Sequence, residues 1–268
     1  MWNENEKKPI WQYLALTFAI AWISETLLIL GEQLGVISGS AGFAIYFVIV
    51  GFGAGFAPAY AIIILLKKHG QIRGLKDLCR RIFKTENILK TVIITAVFFA
   101  SQLIPNILCN SYLGQPWYFF ILLIPMMTIG GGIEEIGWRG FFQPAMEEKL
   151  PFAASGLVVG LIWAVWHLPL WLVKIASQSA MNFLSFTCHC IVLAFVIATL
   201  YKLTKSVFAC VLLHAWCNVL GGGMFSIDTL TNVPNAKLIV IYILEIAASI
   251  IVDRVLRHGC HYRIRCHG

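Results

Sequence analysis

Two adjacent carboxylates, Glu134 and Glu135, are followed by Arg139, and further along the chain stand His167, His214 and Asn218, each beside or within a strongly apolar run. At membrane depth such groups cost about 2.5–3.5 kcal/mol each on insertion scales, and those retained are functional candidates by default. Helix geometry gives them provisional jobs. Glu135 and Arg139 are four apart with the acid first, the favourable orientation for an ion pair. That pairing neutralises one carboxylate and leaves Glu134, about 100° round a 3.6-residue helix, free for another task. His214 and Asn218 are also four apart and present an imidazole and an amide on one face. Trp163 sits one turn before His167 and puts an aromatic ring on its stripe.

Two chemistries fit this set. In one, Glu134 is a general base that takes a proton from water held with the help of His167, while His214 and Asn218 stabilise the oxyanion of a tetrahedral intermediate. In the other, His167, His214 and Glu134 bind zinc and leave an open position for water. Both end in amide hydrolysis. Singly, each histidine reads as an interhelical hydrogen-bonder. Together with Glu134 and the amide they are more chemistry than helix packing needs.

The elements that must position these residues are membrane helices. Hydrophobic residues make up 59% of the 268-residue chain and charged ones 12%, with a mean hydropathy of +0.80. Soluble domains carry roughly twice that charge. Spans of about 20 apolar residues fall at 11–30, 42–66, 88–108, 117–140, 154–173, 183–203, 206–226 and 237–255. The expected fold is therefore all-α, a polytopic protein with about eight transmembrane helices around a buried polar site. No repeat or long linker divides it, so 1–268 reads as a single transmembrane domain. With the N-terminus inside, all Lys and Arg residues except Lys174 and Lys237 fall on the inner side. That is the bias of the positive-inside rule, and it puts both termini in the cytoplasm. The basic stretch Lys67–Lys90 then lies on anionic headgroups, so the net charge of +7 points to membrane lipids and not to nucleic acid. The polar start, Trp2 to Pro9, shows no cleavable signal peptide.

The three polar segments resemble the motifs of the CAAX protease and bacteriocin-processing family of intramembrane proteases, which includes the Ras-converting CAAX endopeptidases. That family's pattern is Glu-Glu-x-x-x-Arg, then Phe-x-x-x-His, then His-x-x-x-Asn/Asp on successive core helices. Glu134, Glu135 and Arg139 match the first motif and His214 and Asn218 the third. His167 matches the second, with Trp163 where Phe is usual, a conservative departure. The resemblance covers 117–222, the expected catalytic core. It implies an endopeptidase cleaving membrane-associated peptides or prenylated CAAX-type proteins with a water activated at Glu134. His167 would be the partner of Glu134, His214 and Asn218 the oxyanion site, and Glu135 and Arg139 its organisers. Family members were long classed as metalloproteases, but the fold supports a metal-independent glutamate mechanism. No cofactor is therefore favoured, and zinc is the alternative.

The remaining features read more plainly. The eight cysteines form no paired CxxC and behave as small hydrophobes. The clusters Cys188-His189-Cys190, Cys260-His261 and Cys266-His267 lack ordinary zinc spacing. Gly130-Gly131-Gly132 lacks the following Lys-Ser/Thr of a phosphate loop and reads as close packing or a hinge. Trp138, Trp163, Trp166, Trp171 and Trp216 fit an interfacial belt or a cavity lining equally. Glu25, Glu245 and His189 read as structural hydrogen-bonders. Competing functions are a non-catalytic binding or immunity protein and a small proton-coupled transporter; no inverted-repeat pattern supports the latter. A bacterial plasma membrane suits the compact chain, with the endoplasmic reticulum as alternative. Nothing in the sequence sets the substrate or the oligomeric state.

Overall fold

The computed structural model describes Trp2 and residues 8–266, with backbone alone for 259–266. The tail clusters at Cys260-His261 and Cys266-His267 lie outside the described side chains. The described chain is all-helical, apart from one isolated bridge between Tyr112 and Phe225. In chain order the helices are α1 (Ile10–Gln33), α2 (Gly39–Lys68), α3 (Leu75–Ile82), α4 (Ile88–Cys109) and α5 (Phe119–Ile129). They continue as α6 (Gly132–Glu147), α7 (Phe152–Leu172), α8 (Phe183–Thr204), α9 (Val207–Met224) and α10 (Ala236–Cys266). Side-chain caps set several starts. Asn87 accepts from the Lys90 N–H at 2.9 Å, Asn182 from Ser185 at 3.1 Å and Ser206 from Ala209 at 3.2 Å, each supplying an acceptor to an orphan N–H of a first turn. Pro105 and Pro125 sit inside α4 and α5 without ending them, as is tolerated in membrane helices.

This is an integral membrane protein. Six helices, α1, α2, α4, α7, α8 and α9, are long and apolar enough to cross a bilayer, and a seventh arises if α5 and α6 count as one bent span. The expectation of about eight spans is thus approximate, and its uncertain member is α10. That helix is long enough, but Lys237, Glu245, Asp253 and Arg254 interrupt its apolar stretch. The bundle itself satisfies these charges in part. Gln102 donates to Glu245 at 2.6 Å, and Asp253 pairs with Lys202 at 2.6 Å and Arg257 at 2.9 Å.

Broad apolar surfaces face outward, among them Ile23 and Leu27 of α1, Val92 and Val97 of α4, and Ile243 and Leu244 of α10. A water-soluble protein does not leave contiguous surfaces of this kind open. The core runs through α2, α6, α7, α8 and α9, where Ile62, Leu66, Trp138, Phe142, Trp166, Ile197, Leu200 and Leu213 are fully enclosed. Polar groups tie the two ends of the bundle. At one end Lys8 pairs with Glu148, and Lys202 joins Glu147 and Asp253. At the other, Lys237 donates to the Leu108 carbonyl and Glu32 accepts from the backbone of Lys174 and Ile175. α10 therefore runs from one face of the bundle to the other.

Candidate active site

The helical run breaks at Gly130-Gly131, where α5 and α6 meet at 42°. α6 opens with a 3-10 turn over Gly132–Glu134 and contains a π turn over Trp138–Phe142, a local rewinding that recurs at functional sites. The break is enforced by packing. A Cβ on Gly132 would lie 2.6 Å from the Val211 carbonyl oxygen of α9, and one on Gly137 would strike the Pro58 carbonyl of α2. Only glycine lets α6 approach both neighbours this closely. The glycine run is both the hinge and the close contact that its composition suggests.

The two glutamates part company here. Glu135 is fully enclosed with Arg139, whose Nη1 lies 3.0 Å from Oε1 and 2.8 Å from Oε2. Arg139 also donates Nη2 to the carbonyls of Leu193 and Ala194 at 3.4 and 3.3 Å, and its guanidinium lies 5.5 Å from the Trp163 ring. Glu135 takes a second partner that the spacing did not suggest, His214, whose Nδ1 stands 2.9 Å from Oε1. Glu134 points elsewhere. Its Oε2 accepts the indole N–H of Trp163 at 2.9 Å and of Trp138 at 3.3 Å, and Glu134 lines a cavity of about 500 Å³.

His167, His214 and Asn218 line that same cavity, and Glu135 and Arg139 do not. Nδ1 of His167 faces the Trp163 carbonyl at 2.9 Å. A carbonyl only accepts, so Nδ1 carries the proton and Nε2 keeps its lone pair. The Glu135 carboxylate fixes His214 in the same sense: Nδ1–H donates to it, and Nε2 is the remaining ring atom. Gly131 seats this pair, for a Cβ there would clash with the Asn218 amide nitrogen and lie 3.2 Å from His214 Nε2. All six expected residues are thus brought together, four on the cavity wall and two behind it.

The described side chains show no ready-made cluster of metal ligands. Among them no three His, Cys, Asp or Glu stand close enough to share a metal, Cys188-His189-Cys190 included, and Oε2 of Glu134 is already taken by two N–H donors.

Several expectations need correction. Trp163 is more than a conservative replacement for Phe, because its N–H holds Glu134. The tryptophans form no interfacial belt: Trp138 and Trp166 are core residues, Trp171 and Trp216 are partly buried, and Trp163 lines the cavity. Glu25 is no hydrogen-bonder, since it is buried in α1 with neither carboxyl oxygen partnered among the described residues. Glu245 does accept from Gln102 and His189 stands 3.5 Å from the Tyr242 hydroxyl, but both also line the cavity. The Trp138 contact had a signal in the sequence, its i,i+4 spacing from Glu134. The Trp163 contact had none, because it crosses between helices.

Residues 115–220 match the sequence model of the family described as Type II CAAX prenyl endopeptidase Rce1-like. All six residues above fall in that segment. The chain is also similar to a CAAX prenyl protease 2 of Methanococcus maripaludis, at 23% identity over 227 residues, covering 77% of this chain and 82% of the relative. Both findings support the resemblance to the CAAX protease and bacteriocin-processing family.

Proposed function

We propose that this chain is an intramembrane endopeptidase that hydrolyses a peptide bond in membrane-associated peptides, CAAX-type prenylated proteins among them, with a water activated by Glu134. The observation that carries the reading is the convergence of Glu134, His167, His214 and Asn218, from α6, α7 and α9, on one cavity inside a membrane bundle. The matched family model and the one named relative, both described as CAAX prenyl proteases, support the substrate class.

The chemistry follows from the atoms left free. Trp163 and Trp138 fix Oε2 of Glu134 and turn Oε1 to a water, whose second hydrogen His167 Nε2 accepts. As the water oxygen adds to the scissile carbonyl, its proton passes to Glu134. The oxygen that becomes negative is met by the Asn218 amide N–H. His214, held by Glu135 through Nδ1, presents Nε2 beside that amide on the cavity wall. Collapse breaks the C–N bond as Glu134 returns the proton to the leaving nitrogen, giving a carboxylic acid and an amine; the acid's proton then passes to the amine, leaving carboxylate and ammonium. Arg139 pairs with Glu135 and holds it in place against His214, which makes both of them positioning residues.

The test is a proteomic comparison of membranes carrying the wild-type chain or Glu134→Ala. A membrane peptide that stays uncleaved in the variant alone supports the reading, and identical peptide patterns defeat it. A strong chelator should leave cleavage intact. Loss of activity restored by stoichiometric zinc would convert His167 and His214 to ligands.

A further inference from the structure

The cavity has a second acidic side chain that the reaction above does not use. Besides Glu134, its lining holds the carboxylate of Glu245 from α10, and no Lys or Arg lines it among the described residues. Glu245 lies mid-helix, outside the segment that matches the family. Its Oε1 accepts from Gln102 Nε2 at 2.6 Å; among the described residues Oε2 meets neither a donor nor a cation.

The amides beside it are already committed. Asn110 donates to Asn106 at 3.0 Å, Asn106 donates to the Gln102 carbonyl at 3.0 Å, and Asn110 accepts from the Thr229 N–H at 3.1 Å. The row ends on the main-chain carbonyl of Gln102 and leaves its side-chain amide to hold Glu245. On its other side the Gln102 side-chain oxygen is 3.9 Å from Cys217 Sγ, and Cys217 immediately precedes Asn218. Glu245, Gln102, Cys217 and Asn218 all line the one cavity.

We propose that Glu245, braced by Gln102, forms a subsite for a basic side chain of the substrate peptide, a lysine or arginine flanking the scissile bond; this rests on the peptidase reading above. A carboxylate with one oxygen open, in a membrane cavity that no Lys or Arg lines among the described residues, calls for a partner that brings a positive charge and N–H donors. Lysine and arginine supply both at the end of an apolar stem, and Leu238 and Tyr242 of α10 line the cavity where such a stem would pass. An acidic residue at the same position is repelled. Helix packing alone would be served as well by a neutral amide pair in place of Gln102 and Glu245.

The probes are apolar nonapeptides with a single lysine walked along the chain, each with norleucine and glutamate counterparts. The full-length protein in lipid nanodiscs is scored for cleavage, and in parallel for binding by fluorescence anisotropy with Glu134→Gln to stop turnover. At one position lysine should bind about tenfold tighter than norleucine, the scale of one hydrogen bond to a charged group, and glutamate should be excluded. Adding Glu245→Gln should flatten that preference to within about twofold, while Glu245→Lys should favour glutamate. Equal binding of lysine and norleucine at every position of the Glu134→Gln protein overturns the proposal, as does a lysine preference that survives Glu245→Gln. The first outcome needs no Glu245 variant to fold. If no peptide is cleaved but the lysine preference appears and depends on Glu245, the peptidase reading fails and the subsite stands.

Discussion

Glu134 and Glu135 share a side-chain type and adjacent positions, yet burial and partners give them opposite roles. Glu135 is spent on Arg139 and His214, whereas Glu134 meets only two indole N–H groups and the cavity. Glu134→Gln should therefore abolish turnover with the melting temperature nearly unchanged. Glu135→Gln strands the Arg139 guanidinium in an apolar bundle, and breaking such a pair costs about 3–5 kcal/mol; lower yield and melting temperature should accompany its loss of activity. If Glu134→Gln cleaves while Glu135→Gln folds normally and is dead, the two assignments are reversed. Trp163→Phe restores the ring usual in the resembling family but deletes the N–H that holds Glu134. Hydrogen bonds to charged groups contribute about 1.5–3 kcal/mol, so kcat should fall by roughly tenfold or more with KM little changed; an unaltered kcat would make that contact incidental. At this scale the sequence was legible where partners lie one helical turn apart, as in Glu135–Arg139. It was silent where they come from different helices, as in Trp163–Glu134 and His214–Glu135, because spacing along a chain carries no information about which faces meet.

α6 shows how an element earns its position through residues with no chemistry of their own. Gly131 and Gly132 are neighbours, but a methyl group at each meets a different obstacle. At Gly131 it would meet the Asn218 amide, the end of a side chain that can swing aside; at Gly132 it would meet the Val211 carbonyl, which belongs to the helix itself. Gly131→Ala should accordingly keep the fold and lose activity by displacing Asn218, at most by about the 10²–10³ typical of a lost oxyanion donor. Gly132→Ala should instead push α6 away from α9 and cost about 1–3 kcal/mol, the usual range for overpacking. Thermal melting and cleavage rates of the two variants decide it. Equal melting temperatures with equal activity would remove the glycine run from the argument. Apolar content located every helix that frames the site, and the glycine run marked the bend. The π turn over Trp138–Phe142 left no such trace; Tyr13 of α1 packs on Trp138, Phe141 and Phe142, and Arg139 reaches two carbonyls of α8.

For the whole molecule, charge and packing give two independent views of sidedness. The positive-inside bias assigns Lys67–Lys90 and the C-terminal segment to one side from composition alone. The bundle gathers the same regions by contact. Lys202 bridges Glu147 and Asp253, Lys8 pairs with Glu148, and Phe83, just past α3, packs on Phe208 at the start of α9 with ring centroids 4.7 Å apart. The opposite end holds the loops near Leu108, Lys174 and Lys237. α10 joins these views, because by running from one face of the bundle to the other it brings the segment around Arg257 to the side of Lys8. The charges that make α10 doubtful on composition are those the bundle pairs, which a hydropathy reading could not anticipate. We expect this shared face to be cytoplasmic. Single cysteines at Glu86 and Arg257, both exposed, should resist a membrane-impermeant thiol reagent applied to intact cells, measured above the background of the native cysteines. Cysteines at Val36 and Val233, also exposed, should react, and all four should react once the membrane is opened. Labelling at Arg257 with protection at Glu86 would mean that α10 does not cross. The basic tail would then face outward, and the placement of Glu245 on the cavity wall would fall with the crossing of α10.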